Sequence, residues 1–221
     1  SVASLADAKA FRERFSLNDF PVVLCLPGSR ISEVKKLTPI FKKALEKIRE
    51  QRPEVQFVLP AAVEVISHLR DLTLDWDDDI IVLDPRDQDL RGALAQKRAA
   101  FRAADGALAA SGTVSLELAA SETPMVIGYD MGWVSRQVIG RLVNTDTVTL
   151  VNLVSETRDV PEFIGAHCRP GNLAQAVLDT LDAPDRQMKA LQETMKRLGK
   201  GASLPGERAA LSVLNFIYHR S

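Results

Sequence analysis

Residues 107–129 read Ala107-Leu-Ala-Ala-Ser111-Gly112-Thr113-Val-Ser-Leu-Glu117-Leu-Ala-Ala-Ser-Glu-Thr123-Pro124-Met125-Val-Ile-Gly-Tyr129, and this run sets the architecture of the chain. A short apolar segment breaks at Ser111-Gly112-Thr113. Leu116, Leu118 and Ala119 then carry a helical pattern, and Thr123-Pro124 stops it ahead of a second apolar run, 125–129. The order is strand, turn, helix, strand. In a parallel sheet the turn of such a unit lies at the carboxyl edge, where the first amides of the helix face outward and attract anions. Glu117 follows Thr113 by about one helical turn, which puts its carboxylate near whatever the turn holds. A carboxylate does not bind a phosphate; it suits sugar hydroxyls, which donate hydrogen bonds to it. The alternative reading is that Thr113 is an N-cap and Glu117 a solvated helix residue.

With 221 residues, 46% of them hydrophobic and 26% charged, the chain has the composition of a soluble globular protein with one good-sized core or two small ones. Its 28 basic and 29 acidic residues leave a net charge of −1, so no global field draws it to nucleic acid or anionic lipid, and any such affinity must be local. Cys25 lies in an apolar run and Cys168 in a distant loop, without CxxC spacing or a paired-histidine pattern. Neither a zinc site nor a disulfide framework is indicated, no metal or other cofactor is expected, and free thiols suit a reducing cytoplasm. No run approaches the roughly 18 apolar residues of a membrane span. The first residues, with Asp7, Lys9, Arg12 and Glu13, lack a signal peptide's apolar core, so export is not expected.

A short amphipathic segment, 6–15, precedes the first strand, 22–26. That strand stops at Pro27-Gly28-Ser29-Arg30, and a helix follows with Ser32 as the expected N-cap and Glu33 in its first turn. Thr38-Pro39 is expected to restart this helix, after which Phe41, Leu45 and Ile48 share a face. Gly28 lets the backbone pass close to a ligand, and Arg30 can offer its planar fork to a phosphate. No Gly-Lys-Ser/Thr follows, and the three-glycine dinucleotide fingerprint is missing. The turn therefore suits a phosphate, and it equally reads as a tight turn with a surface arginine.

Further strands are expected at 55–59 and 80–83 and helices at 62–72, with His68 on the surface, and 87–102. The acidic stretch 75–79 reads as a solvated loop without EF-hand spacing. Residues 130–143 form a helical pattern with Trp133, Arg136 and Arg141 and no acid between Asp130 and Asp146. Two readings stay open for it: an interfacial helix that meets anionic lipid head groups, or a core helix with a basic outer face. A sixth strand is expected at 147–151, then helices at 172–181 and 185–198, a Gly-rich break at 199–206 and a last helix at 207–219. Six strands alternating with helices predict an α/β fold: one doubly wound, mostly parallel, Rossmann-like domain over 1–198 with a carboxyl-terminal linker and helix over 199–221.

Four separated motifs occur in a shared order: Pro27-Gly28-Ser29-Arg30 with Ser32-Glu33-Val34, Ala110-Ser111-Gly112-Thr113 with Leu116-Glu117, Pro124-Met125-Val126, and Asn152-Leu153 with Val160-Pro161-Glu162. Together they resemble the lipid-A-disaccharide synthase family, and the resemblance covers nearly the whole chain while matching only the carboxyl-terminal half of such an enzyme. It implies the second half of a B-type, two-domain glycosyltransferase, in which the nucleotide-sugar donor is held mainly by this half. The implied reaction is inverting. It joins UDP-2,3-diacylglucosamine to 2,3-diacylglucosamine 1-phosphate with release of UDP, in the cytoplasm and peripherally at the inner membrane surface.

Carried over by residue, the resemblance places Gly28, Ser29 and Arg30 at the donor phosphates, Ser111, Gly112 and Thr113 at the same cleft, and Glu117 on the ribose hydroxyls. Asn152 and Glu162 would line that cleft. The chain departs from many relatives in having Val151 before Asn152 where they have Pro, and Gly165 where they have Gln. No catalytic residue is assigned, because an inverting displacement needs a base and in the family that carboxylate and the acceptor site belong to the first domain. The implied partners are the UDP-linked acylated glucosamine, that amino-terminal acceptor domain and an anionic membrane surface met by Trp133, Arg136 and Arg141. A homodimer stays open and no nucleic acid is expected. Two alternatives compete with the transferase: a non-catalytic UDP-sugar-binding module, and part of a UDP-sugar epimerase of similar fold.

Overall fold

The computed structural model describes residues 2–17, 19–74, 76, 80–130 and 147–199. Its strands are short apolar runs because both faces of the sheet are covered, which is the rule for parallel sheets. They are β1 (Val22–Leu26), β2 (Gln56–Pro60), β3 (Ile80–Leu83), β4 (Gly106–Ala110), β5 (Met125–Tyr129) and β6 (Glu162–Ile164). All pair in parallel in the order β3-β2-β1-β4-β5-β6. The register of the central pair sets Val23 against Gly106 and Leu26 against Ala109.

Among the described residues the α-helices are α1 (Leu5–Arg14), α2 (Ile31–Gln51), α3 (Ile66–Thr73), α4 (Leu90–Ala103), α5 (Val114–Ala120), α6 (Leu150–Ser155), α7 (Pro170–Asp182) and α8 (Asp185–Arg197). Side chains of period two along each strand divide the core into two layers. Val23, Cys25, Phe57, Leu59, Leu108 and Val126 pack with Phe41, Ile48, Leu69 and Val177 of α2, α3 and α7. Val22, Leu24, Val58, Ala107, Ala109, Met125 and Ile127 pack with Phe11, Phe101, Leu118 and Leu191 of α1, α4, α5 and α8. At Gly128 a helix side chain comes close to the sheet: a Cβ there would stand 2.8 Å from Cε1 of Phe41. Burial pushes the Cys25 thiol far above its ordinary value, and an inert packed thiol is the physical outcome.

α1 is tied on by polar contacts as well as by Phe11. Ser4 and Asp7 form a capping box at its start. Arg12 donates from Nε to the Ala103 carbonyl at 2.9 Å and from Nη2 to Asp105 Oδ2 at 2.7 Å. Asp105 Oδ2 in turn accepts from the Val22 amide at 2.8 Å, so one carboxylate links the start of β1 to α1.

The structure corrects several local expectations. Arg30, not Ser32, occupies the N-cap of α2, in extended conformation and without a side-chain cap bond. Pro39 does not restart the helix: α2 runs unbroken from Ile31 to Gln51 with Pro39 inside it, because burial of Leu37, Thr38 and Phe41 on both sides of the proline outweighs one lost hydrogen bond. The third helix begins at Ile66 rather than at 62, and α4 at Leu90 rather than 87, after a 3-10 turn over Pro85–Asp87. The largest correction concerns 147–151. No strand lies there; α6 starts at Leu150, and the sixth strand is Glu162–Ile164 beside β5. The β-branched run Thr147-Val148-Thr149 is held in an irregular segment by Glu162, as described below. The expected helix at 130–143, apart from Asp130, and that at 207–219, and with them Trp133, Arg136 and Arg141, lie outside the described residues, as does nearly all of the proposed 199–221 tail.

Candidate functional site

The strand order reverses direction between β1 and β4, since the chain moves outward to β2 and β3 on one side and to β5 and β6 on the other. A crevice opens at the carboxyl ends of the strands at such a switch point. The two turns that flank it are Pro27–Arg30 after β1 and Ser111–Thr113 after β4. Both line a cavity of about 470 Å³.

The lining is polar at the turns after β1 and β4, with Arg30, Glu33 and Glu117, and at Lys97 of α4. It is apolar at Ala61, Ala62 and Val63 from the loop after β2, Pro85 after β3, and Leu90, Leu94 and Phe101 from α4. Val63, Leu90 and Leu94 are exposed although large and apolar.

The turn after β1 is shaped by Gly28 at φ +122°, a region that a Cβ makes costly. The bare backbone leaves room for Glu33, whose Oε2 would lie 2.7 Å from any Cβ placed at residue 28. Glu33 folds back from the first turn of α2. Its Oε1 pairs with Arg30 Nη1 at 2.9 Å and its Oε2 accepts from the Ser29 amide at 3.4 Å. The Arg30 carbonyl starts the helix by accepting from the Glu33 and Val34 amides at 3.0 Å each.

In the turn after β4, a Cβ at Gly112 would meet nothing within 4 Å, so open space borders its backbone. Thr113 stands at the N-cap of α5 but makes no side-chain cap bond. Ser115 Oγ donates to the Gly112 carbonyl at 2.9 Å, and Ser111 Oγ to the Val148 carbonyl at 3.5 Å. Glu117 is half exposed, and its Oε2 accepts from Lys97 Nζ at 2.7 Å.

Seven of the nine residues assigned to donor binding thus line one cavity: Gly28, Ser29, Arg30, Ser111, Gly112, Thr113 and Glu117. Asn152 and Glu162 do not. Asn152 is 1% exposed and spans the segment before β6: Nδ2 donates to the Val160 carbonyl at 2.9 Å, and Oδ1 accepts from the Val160 amide at 3.0 Å. Glu162 gathers four donors. Oε1 accepts from Thr147 Oγ1 at 2.5 Å, the Thr149 amide at 2.7 Å and Asn152 Nδ2 at 3.2 Å, and Oε2 from the Val148 amide at 3.2 Å. Their geometry is that of a bracket fastening residues 147–152 to β6. Through Val148 it also reaches Ser111.

Two features of the site escaped the sequence reading. Lys97 sits in an Ala- and Arg-rich helix with no motif to single it out; its distance from Glu117 in sequence hides their contact. The cavity wall at Pro85 is fixed by Asp84, whose side chain is 2% exposed and holds two arginines. Arg86 Nη2 lies 2.7 Å and Arg70 Nη2 2.8 Å from Asp84 Oδ2, and the Arg86 amide donates to Oδ1 at 2.9 Å. These bonds, led by that of the Arg86 guanidinium, pull the Asp84 carboxyl down to about 2. The signal available in sequence was Asp84-Pro85-Arg86, an Asx-type turn opener.

Solved structures share this architecture. S. aureus MnaA, in a co-structure with UDP, superposes with a TM-score of 0.60 and 16% identity over 93% of this chain and 48% of that one. Anabaena HepE, in complex with UDP and glucose, does so with a TM-score of 0.58 and 15% identity over 96% of this chain and 53% of that one. At such identity the likeness is one of fold. The chain is a Rossmann-like α/β domain of the kind that forms one half of a B-type glycosyltransferase.

A family model described as lipid-A-disaccharide synthetase matches residues 4–211, and the chain belongs to that family. The lipid-A-disaccharide synthase of Ruegeria pomeroyi is 46% identical over 96% of this chain and 53% of its own length. That of Rhodospirillum centenum is 37% identical over 100% of this chain and 54% of its own. The chain therefore spans about half the length of these relatives. Among the described residues no helix is long and apolar enough to cross a membrane.

Proposed function

We propose that this chain is the donor-binding half of a lipid-A-disaccharide synthase and that its cavity takes the UDP of UDP-2,3-diacylglucosamine. The observation that carries the reading is the convergence of Arg30 and Glu117 on one cavity at the strand-order reversal, in a member of that family. Arg30 and the amides that open α2 take the diphosphate, as charge-assisted donors do. Glu117 accepts from the ribose hydroxyls. The uracil ring lies against the apolar wall of Ala62, Pro85, Leu90 and Phe101, where a flat ring replaces water on exposed carbon.

In the proposed reaction a hydroxyl oxygen of 2,3-diacylglucosamine 1-phosphate attacks the anomeric carbon of the donor. The bond from that carbon to the β-phosphate oxygen breaks, UDP leaves with the electron pair, and a base takes the hydroxyl proton. The diphosphate gains charge as it leaves, so Arg30 and the α2 amides stabilise the transition state more than the bound donor. The acceptor site and base belong to the other half of the enzyme in this reading, so these 221 residues alone bind donor without transferring it. The acylated substrates place the whole enzyme at the inner membrane surface.

Family membership favours the transferase over the epimerase, and the relatives' names favour it over a non-catalytic module. The test is thermal: UDP and UDP-sugars raise the melting temperature more than free sugars do, because a ligand bound by the folded state alone stabilises it by mass action. A flat series up to millimolar UDP would overturn the reading.

A further inference from the structure

At the phosphate end of the proposed site a carboxylate of the protein itself is bonded to the donors of the turn. Glu33 is 13% exposed, against 78% for Arg30, and holds two donors of the turn after β1: Arg30 Nη1 at 2.9 Å and the Ser29 amide at 3.4 Å. This position is built in. Gly28 at φ +122° provides the only residue type whose backbone leaves that space, since a Cβ would stand 2.7 Å from Oε2 and 2.8 Å from Cβ of Glu33. A phosphate that took the Ser29 amide and Arg30 Nη1 would be set against the Glu33 carboxylate, with strong like-charge repulsion in a partly enclosed cavity.

We propose that Glu33 is an internal competitor for the phosphate subsite, and that the donors Ser29 N–H and Arg30 pass from its carboxylate to the incoming diphosphate. The inference rests on the donor-site reading above and adds to it a control on affinity. Donor and product both carry the diphosphate, so the competitor weakens both. Weaker binding of free UDP shows chiefly as faster departure of the product.

The test is calorimetric titration of the parent chain, Glu33→Gln and Glu33→Ala with UDP, inorganic pyrophosphate and uridine at fixed ionic strength. Removing the negative charge should tighten UDP and pyrophosphate about three- to tenfold and leave uridine unchanged. The unaltered chain offers a second readout that no folding defect can mimic. The Glu33 carboxyl carbon resonance should move on adding UDP or pyrophosphate and stay still on adding uridine. Equal or weaker UDP binding by a folded Glu33→Gln, or a resonance indifferent to UDP, makes Glu33 a prop for Arg30 and overturns the inference. A parent chain that binds neither UDP nor uridine instead brings down the donor-site reading, and this inference with it.

Discussion

Lys97 Nζ on α4 lies 2.7 Å from Glu117 Oε2 on α5, while the same ammonium stands 5.2 Å from the centre of the Phe101 ring. The pair joins the helix that carries Leu90, Leu94 and Phe101 to the helix that follows the Ser111–Thr113 turn. With side chains 36% and 50% exposed, an ion pair of this kind contributes only about 0.2–1 kcal/mol to stability. Its consequence is orientation: Lys97 occupies one carboxylate oxygen and leaves the other for a ligand.

Lys97→Met should therefore weaken uridine and UDP by a similar factor, about three- to tenfold, through loss of a charge-assisted hydrogen bond that positions Glu117. Lys97→Arg should recover part of it. The telling readout is the preference for UDP over 2′-deoxy-UDP, which shrinks if Glu117 is misoriented; an unchanged preference would remove Lys97 from ribose recognition.

Glu117→Ala removes the ribose acceptor, and a charge-assisted bond of about 1.5–3 kcal/mol makes UDP and uridine both roughly tenfold to a hundredfold weaker. Arg30→Ala should weaken UDP by a similar amount and leave uridine nearly untouched, since its proposed partner is the diphosphate. Calorimetry of two variants with two ligands separates these patterns from a general loss of fold. Parent-like UDP affinity in Glu117→Ala would sink the ribose assignment.

Glu162→Gln tests the bracket. The amide keeps the shape but loses the charge that gathers Thr147, Val148, Thr149 and Asn152. Stability should fall by about 1.5–3 kcal/mol, the range for hydrogen bonds to a charged group. The ratio of UDP to uridine affinity should stay as in the parent chain, as Glu162 lies outside the cavity lining. A selective loss of UDP would return Glu162 to the ligand.

Asp84 gives the fold a defined acid sensitivity. Its carboxyl is lowered from an ordinary 3.8 to about 2, chiefly by the Arg86 side chain. A depressed acid stabilises the fold fully above its unfolded value and loses that contribution as pH falls through the folded value. Melting temperatures of the parent chain and Asp84→Asn should therefore lie furthest apart above pH 4 and converge between about pH 4 and 2. A constant gap across that window would show that the Arg86 and Arg70 contacts carry no charge dependence.

Gly128→Ala places a methyl 2.8 Å from Phe41 Cε1 in a fully packed layer. Overpacking of this kind costs about 1–3 kcal/mol. Thermal denaturation should show a fall of about 2–4 °C for each kcal/mol in a chain of this size. An unshifted transition would mean that α2 slides along the sheet without penalty.

Local pattern was enough for the doubly wound fold and for the two turns that line the cavity. The strands at Val22–Leu26 and Met125–Tyr129 are apolar runs closed by Pro27-Gly28 and preceded by Thr123-Pro124, signals that act over a few residues. Because the turns after β1 and β4 follow directly from those runs, Gly28, Ser29, Arg30, Ser111, Gly112, Thr113 and Glu117 could all be named from sequence and family motif together. The same local rules misplaced what depends on distant partners. Thr147-Val148-Thr149 has the composition of a strand, yet Glu162, arriving from β6, supplies acceptors for two of its amides, and the strand position beside β5 goes to Glu162–Ile164 instead. Pro39 reads as a helix start until Leu37 and Phe41 are seen buried on either side of it. Lys97 and Glu117 stand twenty residues apart and meet only because α4 and α5 lie on one face of the sheet. Sequence therefore determined the order of elements and the residues at the strand ends, which short-range sterics and hydrophobic period dictate. Tertiary structure decided which charges pair across the cavity, since a carboxylate takes whichever donor the fold brings within about 3 Å.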